Sequence, residues 1–258
     1  MSMINLWTPN VLKILEALDG RMRLVGGCVR DFLLGKTPDD IDMATPLLPV
    51  EVQEMLSQNG IKSHPISPRH GLIEIVLNGE KFEITTLRHD TYDRGKQKVT
   101  FITDYEQDAY RRDFTINALS ADQNKVYDYC GGIEDLKSRR VCFIGDAEQR
   151  IFEDPLRMLR YIRFWASFGD EKPDSGILGL IPRYRDKLKT VSLNRRKKEF
   201  SKILMGQRVF DALDLMRAGG LFPYIVCRDG VQELHQLLSN NPLASFEDRL
   251  LCFNNYIQ

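Results

Sequence analysis

The chain has 258 residues, 43% of them hydrophobic and 28% charged, enough apolar mass for one large or two small cored domains. Its 36 basic residues balance its 36 acidic ones, so overall charge points to no polyanionic partner. No run of about 18 apolar residues is available to span a bilayer, no basic region followed by a long apolar stretch marks a secretory signal, and five scattered cysteines match no zinc or redox spacing, which suits reduced thiols in the cytoplasm.

In chain order, Val11 to Leu18 carries apolar residues at helical spacing and is predicted to be a helix. Leu24-Val25 is a short apolar strand, followed by Gly26-Gly27 and a helix bearing Arg30. Glycine lets a backbone approach phosphate closely, and the amides of a helix start favour an anion. Asp40-Ile41-Asp42 comes next. On a strand, residues two apart share a face, so Asp40 and Asp42 project together while Ile41 turns into the core. Adjacent carboxylates repel unless a cation neutralises them, and hard oxygen donors suit Mg2+, which takes the rest of its shell from water and substrate phosphate. An isolated Asp-x-Asp most often lies in a solvated turn; one short helix after a glycine turn, it supplies a metal site beside a phosphate cradle.

Pro49 to Gln58 reads as a helix, and Leu72 to Leu77, a turn at Asn78-Gly79-Glu80-Lys81 and Phe82 to Leu87 read as a hairpin, with Asn-Gly as its signal. Arg88 to Val99 is polar, charged and without apolar periodicity, as expected for a mobile loop. In Arg111-Arg112-Asp113-Phe114-Thr115-Ile116-Asn117-Ala118, the residues Phe114, Ile116 and Ala118 form a buried side and leave Arg112, Asp113 and Asn117 for solvent or ligand; alone, the stretch is a capped, charged helix start. Val126 to Leu136 reads as a strand, a glycine turn and a capped helix start.

From about Ala147 onward strand signals fade. Ile151 to Phe164 reads as one helix on which Asp154, Arg157, Arg160 and Arg163 recur every third residue in a slanted row, with Met158, Leu159, Ile162, Trp165 and Ala166 opposite. Aligned arginines repel unless an anion or acidic surface faces them, and a triphosphate meets guanidinium bidentately. Without that ligand, Asp154 before Pro155 is a helix cap and the arginines are a salt-bridged surface. Arg183 to Lys202 sets nine basic residues against Asp186 and Glu199, either a surface for a polyanion or a solvated helix face. Met205 to Met216 and Val231 to Leu238 are further predicted helices, interrupted by Gly219-Gly220 and Asn240-Asn241-Pro242.

The glycine turn, Arg30 and the Asp40/Asp42 pair together resemble the catalytic signature of the polymerase-β-like nucleotidyltransferases. In detail the chain is similar to the class II tRNA nucleotidyltransferase (CCA-adding enzyme) and bacterial poly(A) polymerase family, in order from about residue 23 to 164 and onward to about 204. Arg111 to Ala118 resembles that family's second motif, and Glu153-Asp154-x-x-Arg157 its nucleotide-template motif. Val191 to Leu204 resembles its fifth, helix-capping motif, with Asn194 where the family usually has Glu.

The resemblance implies an α+β fold: a polymerase-β-like head with a small mixed sheet and flanking helices at residues 1–143, an all-α neck carrying the template helix at 144–204, and an abbreviated helical body at 205–258. It implies template-independent addition of C, C and A to the 3′ end of tRNA from CTP and ATP, with release of pyrophosphate. Two Mg2+ ions for the in-line transfer fall to Asp40 and Asp42, with Glu83 on a neighbouring strand as third carboxylate. Gly26, Gly27 and Arg30 fall at the phosphates, Arg112 against the nucleotide, and Asp113 and Asn117 at its sugar. Asp154 and Arg157 would read the base, oriented by Glu153, while Arg160 and Arg163 hold the triphosphate. Cytosine and adenine both present an amino donor beside a ring acceptor; guanine and uracil reverse that order and leave polar groups unpaired. In the family the segment matching Arg88 to Val99 helps switch from C to A addition and is lacking in relatives restricted to CC, which favours full CCA addition. The alternatives are a poly(A) polymerase, a partial CC- or A-adding enzyme, and a non-catalytic tRNA-binding module.

Overall fold

The computed structural model describes residues 6–93, 96–169 and 172–253. The chain divides into two units, Met1–Lys137 and Ser138–Gln258. Among the described residues, the first contains strands β1 (Arg23–Val25), β2 (Asp42–Thr45), β3 (Lys62–Ser67), β4 (Leu72–Leu77), β5 (Glu80–Thr86), β6 (Arg88–Asp93), β7 (Lys96–Phe101), β8 (Ser120–Ala121) and β9 (Val126–Tyr127). Its helices are α1 (Pro9–Ala17), α2 (Gly27–Leu33), α3 (Pro49–Gln58), α4 (Tyr105–Tyr110) and α5 (Gly132–Lys137). Seven strands form one sheet in the order β3-β4-β5-β2-β1-β8-β9, and β6-β7 form a separate ribbon. β2 and β5 run parallel, in register from Asp42↔Glu83 to Thr45↔Thr86, and the other paired neighbours are antiparallel.

Period-two burial places Ile73, Ile75, Leu77, Phe82 and Ile84 of β4 and β5 on one face of the sheet, in a core with Val11 and Ile14 of α1 and Val52 and Leu56 of α3. The smaller cluster of Val25, Ala44 and Leu87 packs with Ile102 and Tyr105. α1 begins at the Thr8 cap, whose hydroxyl accepts from the Val11 amide at 3.3 Å, with Pro9 at the first helical position.

Two expectations are corrected here. The β4–β5 turn is two residues, not four: Asn78 and Gly79 both have positive φ (53° and 82°), and Leu77 already pairs with Glu80. The segment from Arg88 to Val99 is no loop either, since β6 and β7 pair from Arg88↔Phe101 to Asp93↔Lys96. A ribbon outside the main sheet needs no strictly apolar face, so alternation of apolar residues could not reveal it.

Among its described residues the second unit is helical: α6 (Ala147–Glu153), α7 (Arg157–Phe168), α8 (Ser175–Tyr184), α9 (Leu193–Leu204), α10 (Val209–Ala218), α11 (Val231–Asn240) and α12 (Phe246–Leu251). Phe143 stacks on Tyr161 with ring centroids 6.2 Å apart, which packs the stretch before α6 into this unit. The single helix expected from Ile151 to Phe164 is two helices, broken at Asp154-Pro155-Leu156, because proline cannot continue the hydrogen-bond ladder of the preceding turn. The helix expected from Met205 starts only at Val209, after a turn containing Gly206. The predicted apolar side of α7 holds: Met158, Leu159, Ile162, Trp165 and Ala166 are all buried. No helix among the described residues is long and apolar enough to cross a membrane.

One glycine locks the end of the first unit. A Cβ on Gly132 would stand 2.2 Å from the Thr115 carbonyl oxygen, a backbone atom with little room to yield. Gly132→Ala is therefore expected to destabilise the fold by about 1–3 kcal/mol, the usual range for overpacking, read as a lowered urea midpoint with unchanged slope.

Candidate phosphate and metal site

The turn between β1 and α2 depends on Gly26, whose φ of 72° and ψ of −124° suit glycine. Its amide donates to the Leu119 carbonyl at 2.9 Å and its carbonyl accepts the Arg30 amide at 3.1 Å. A Cβ there would lie 3.0 Å from Nη1 of Arg112, and one on Gly27 would lie 3.6 Å from Nη2 of Arg30. Arg30 donates from Nη1 to Asn117 Oδ1 at 2.6 Å and grips Asp31 through Nε and Nη2 at 2.9 and 3.0 Å. Arg112 donates from Nη1 to the Asn117 carbonyl at 3.3 Å. Gly26, Gly27, Arg30, Arg112 and Asn117, distant in sequence, thus meet at the start of α2.

Of the two expectations for Asp113 and Asn117, solvent or ligand, solvent does not hold: they are 8% and 7% exposed. The short 3-10 turn Thr115–Asn117 encloses both sides of the motif: Asp113 Oδ1 accepts from the Phe114 amide and Asn117 Nδ2, and the Thr115 hydroxyl donates to Asp135 at 2.7 Å. These polar groups hold the turn that presents Asn117 to both arginines.

Asp42 opens β2, whereas Asp40 lies in the bend before it, so only one of the pair is within the strand. Both are exposed, and Ile41 between them packs against the core. The parallel register sets Asp42 beside Glu83, also exposed. Among the described residues no three His, Cys, Asp or Glu side chains close into a metal-holding group. Cys28 links α2 to β2: its thiol donates to the carbonyls of Val25 at 3.3 Å and Asp42 at 3.7 Å. Burial pushes that thiol up to about 11, which keeps it a protonated donor to these two carbonyls.

Asp108, on α4 and only 2% exposed, belongs to none of the sequence motifs. Its Oδ1 accepts from Arg111 Nε at 2.7 Å and the Arg88 amide at 3.1 Å; its Oδ2 accepts from Nε and Nη2 of Arg112 at 3.3 and 3.2 Å. Burial alone would raise its carboxyl, but the guanidiniums of Arg112 and then Arg111 outweigh burial and hold it below the ordinary carboxylate range. Its contribution to stability is complete above the usual aspartate pKa of about 3.9 and is lost as pH falls through the lowered value. An acid three and four positions before two arginines was the available signal.

In the helical unit, Glu153 accepts from Arg150 at 2.7 Å and Arg157 at 3.0 Å, and Arg157, 7% exposed, also donates to the Arg150 carbonyl. Asp154 caps the break: Oδ1 accepts from the Leu156 amide at 3.2 Å and Oδ2 from Arg195 at 2.7 Å. It therefore stands before α7 and is not on the helical row with the three arginines. Arg160 and Arg163 converge on Glu199 of α9, at 3.3 and 2.8 Å. Glu199, 5% exposed, is the acidic surface those arginines required, and the sequence showed it only as a minority charge in a basic stretch. That stretch is not one uniform polyanion surface: Arg196 is buried on the Tyr224 carbonyl, Arg183 pairs with Glu148, and Lys187 covers the Phe152 ring. Asn194 is exposed in the first turn of α9, whose cap position is Ser192.

Comparison with known proteins adds a second line of observation. The sequence family described as "Poly A polymerase head domain" matches residues 22–142, and that described as "Probable RNA and SrmB- binding site of polymerase A" matches 173–227. The chain is 41% identical over 211 residues to human mitochondrial CCA tRNA nucleotidyltransferase 1, covering 79% of this chain and 48% of that protein. It is 37% identical over 208 residues to the CCA-adding enzyme of Geobacillus kaustophilus, covering 78% and 50%. The chain thus spans about half the length of the curated relatives it matches. Among solved structures, the Bacillus stearothermophilus CCA-adding enzyme in complex with CTP superposes with a TM-score of 0.79 at 32% identity, covering 95% of this chain and 62% of that one.

Removing Glu199 strips the shared partner from two guanidiniums. Glu199→Ala is expected to cost roughly 3 kcal/mol, the lower end of the range for breaking a buried pair, because the Arg160 side chain stays 30% exposed and keeps part of its hydration. Chemical denaturation measures it; a loss under 1 kcal/mol would show the pairing to be marginal.

Proposed function

We propose that the chain is a CCA-adding enzyme of the family that unites class II tRNA nucleotidyltransferases with bacterial poly(A) polymerases, acting on the 3′ end of tRNA with CTP and ATP. The observation that carries the reading is the assembly at the start of α2, where Gly26, Arg30, Arg112 and Asn117 meet and Cys28 ties the helix to the strand that opens on Asp42. The reaction is in-line attack of the tRNA 3′ hydroxyl on the nucleotide α-phosphate, with pyrophosphate leaving.

Each residue has a part in that chemistry. Asp40 and Asp42 offer the hard oxygen donors that fit Mg2+, with Glu83 beside Asp42 in register. When bound, the metal supplies charge stabilisation at the attacking and leaving oxygens. Gly26 and Gly27 bring backbone close to phosphate, and Arg30 and Arg112 stabilise its negative charge. Asp113 supports Asn117, which we assign to the sugar. In the helical unit we assign Asp154 and Arg157 to the base edge, with Glu153 fixing Arg157. Arg160 and Arg163, held in charge balance by Glu199, are assigned to the triphosphate. Five cysteines scattered along the sequence at no zinc or redox spacing support a reducing compartment, and we propose the cytoplasm.

The decisive experiment offers tRNA lacking its CCA end, supplies CTP and ATP singly and together, and sequences the products. Addition of CCA and nothing further is expected. A long A-tail would indicate a poly(A) polymerase, CC or A alone a partial enzyme, and no extension a binding module. Asp42→Ala should suppress incorporation of both nucleotides by more than the roughly 10- to 100-fold that loss of a supporting outer-shell group costs, with an unchanged melting temperature; full activity would sink the metal assignment.

Asp154→Ala should relax selection against GTP and UTP by about 10- to 100-fold, the size of one or two lost polar pairings. Competition assays with mixed nucleotides measure it. Unchanged selectivity would reduce Asp154 to the cap of the α6–α7 break.

A further inference from the structure

We propose that Asp108 is the positioning residue for Arg112, fixing the plane in which that guanidinium meets a nucleotide and tying that plane to the base of the β6–β7 ribbon. The inference rests on the nucleotidyl-transfer reading of the same site. A guanidinium is a rigid plane with donors in a fixed fork, so three contacts settle its attitude. Arg112 places Nε and Nη2 on one oxygen of Asp108, at 3.3 and 3.2 Å, and Nη1 on the Asn117 carbonyl at 3.3 Å. That second contact directs Nη1 to the backbone of the glycine turn, 3.0 Å from where a Gly26 Cβ would stand.

A merely structural ion pair would need less. Asp108 has its shortest contact, 2.7 Å, with Arg111, and one buried carboxylate facing one guanidinium would be neutral. The second oxygen is instead given over to Arg112, so one buried carboxylate orients two guanidiniums beside the glycine turn. The third element is the Arg88 amide, at 3.1 Å from Oδ1. Because this donor is main chain, the first residue of β6 cannot shift without disturbing the carboxylate that orients Arg112. Asp90, two residues further along β6, sits 3.2 Å from Arg88 Nε and 3.9 Å from Arg111, so the ribbon's base shares the same charges.

The test uses the 258-residue chain with tRNA lacking its CCA end and CTP as the varied substrate. Asp108→Asn should raise the KM for CTP about tenfold while kcat stays within about threefold, as expected when ground-state positioning is lost. Adding Arg112→Ala to Asp108→Asn should raise KM no further than Arg112→Ala alone, since the first change already removes what the second would. Should Asp108→Asn not fold, Asp108→Glu keeps the charge and lengthens the arm, and the same rise in KM is expected. A lowered melting temperature with unchanged KM, or effects of Asp108→Asn and Arg112→Ala that multiply, would overturn the inference. A parent chain that neither binds CTP nor extends tRNA overturns the nucleotidyl-transfer reading and this inference with it. That result is distinct from an active parent whose Asp108 variants keep their KM.

Discussion

The first unit is organised around the approach of the Arg112 guanidinium to the backbone of Gly26, 3.0 Å from the place of a missing side chain. Only glycine permits both that approach and the positive φ of the turn. From it the remaining contacts follow. The carbonyl that receives Arg112 belongs to Asn117, whose side chain receives Arg30, so the two arginines are spaced by one residue. Asn117 is in turn held by Asp113, and the turn around it by Thr115 on Asp135 and by the close packing of Gly132. A buried polar network of this kind is stable only when its members are satisfied together, which explains why residues that bear no charge toward a ligand are enclosed here.

Both units meet the same electrostatic problem with the same device. Guanidiniums gathered in a small volume repel one another, and burying a carboxylate among them is costly unless charge and hydrogen bonds repay desolvation. Asp108 does this for Arg111 and Arg112, and Glu199 does it for Arg160 and Arg163. In each case one acid serves two bases and so orients both. The third helical arginine, Arg157, is treated differently: Glu153 and the Arg150 carbonyl pin it, and it is nearly buried. Such a side chain is suited to a directional hydrogen-bonding role more than to a diffuse electrostatic one.

What the sequence disclosed was whatever is local. The Asn78-Gly79 hairpin, the helix from Pro49 to Gln58, the glycine turn and the inward side of α7 all follow from spacing of a few residues. Three things did not. The β6–β7 ribbon lacks the alternating apolar face that betrays a strand. The break at Asp154 was visible in Pro155 itself, yet the three-residue period of charge across it argued for continuity, and covalent geometry prevailed. Asp108 offered only its spacing of three and four to Arg111 and Arg112, and Glu199 declares itself only through what it touches, since it meets Arg160 and Arg163 from another helix.

On the proposed reading, Asp42 of β2 and Asp40 in the bend before it show why a pair of metal-holding carboxylates identifies chemistry more readily than substrate. Asp40 and Asp42 lie exposed at one end of a strand, Glu83 stands next in register, and among the described residues no closed group of three ligands forms. Mg2+ dehydrates reluctantly and demands an octahedral shell, so two carboxylates leave most positions to water and to substrate oxygens. On the proposed reading, cation and nucleotide therefore complete one another's site, and affinity for either rises with the other by linkage. An open pair of this kind serves any phosphoryl substrate that brings its own oxygens. On that reading discrimination comes from groups with direction, and in this chain those are Asp154 and an Arg157 held by Glu153.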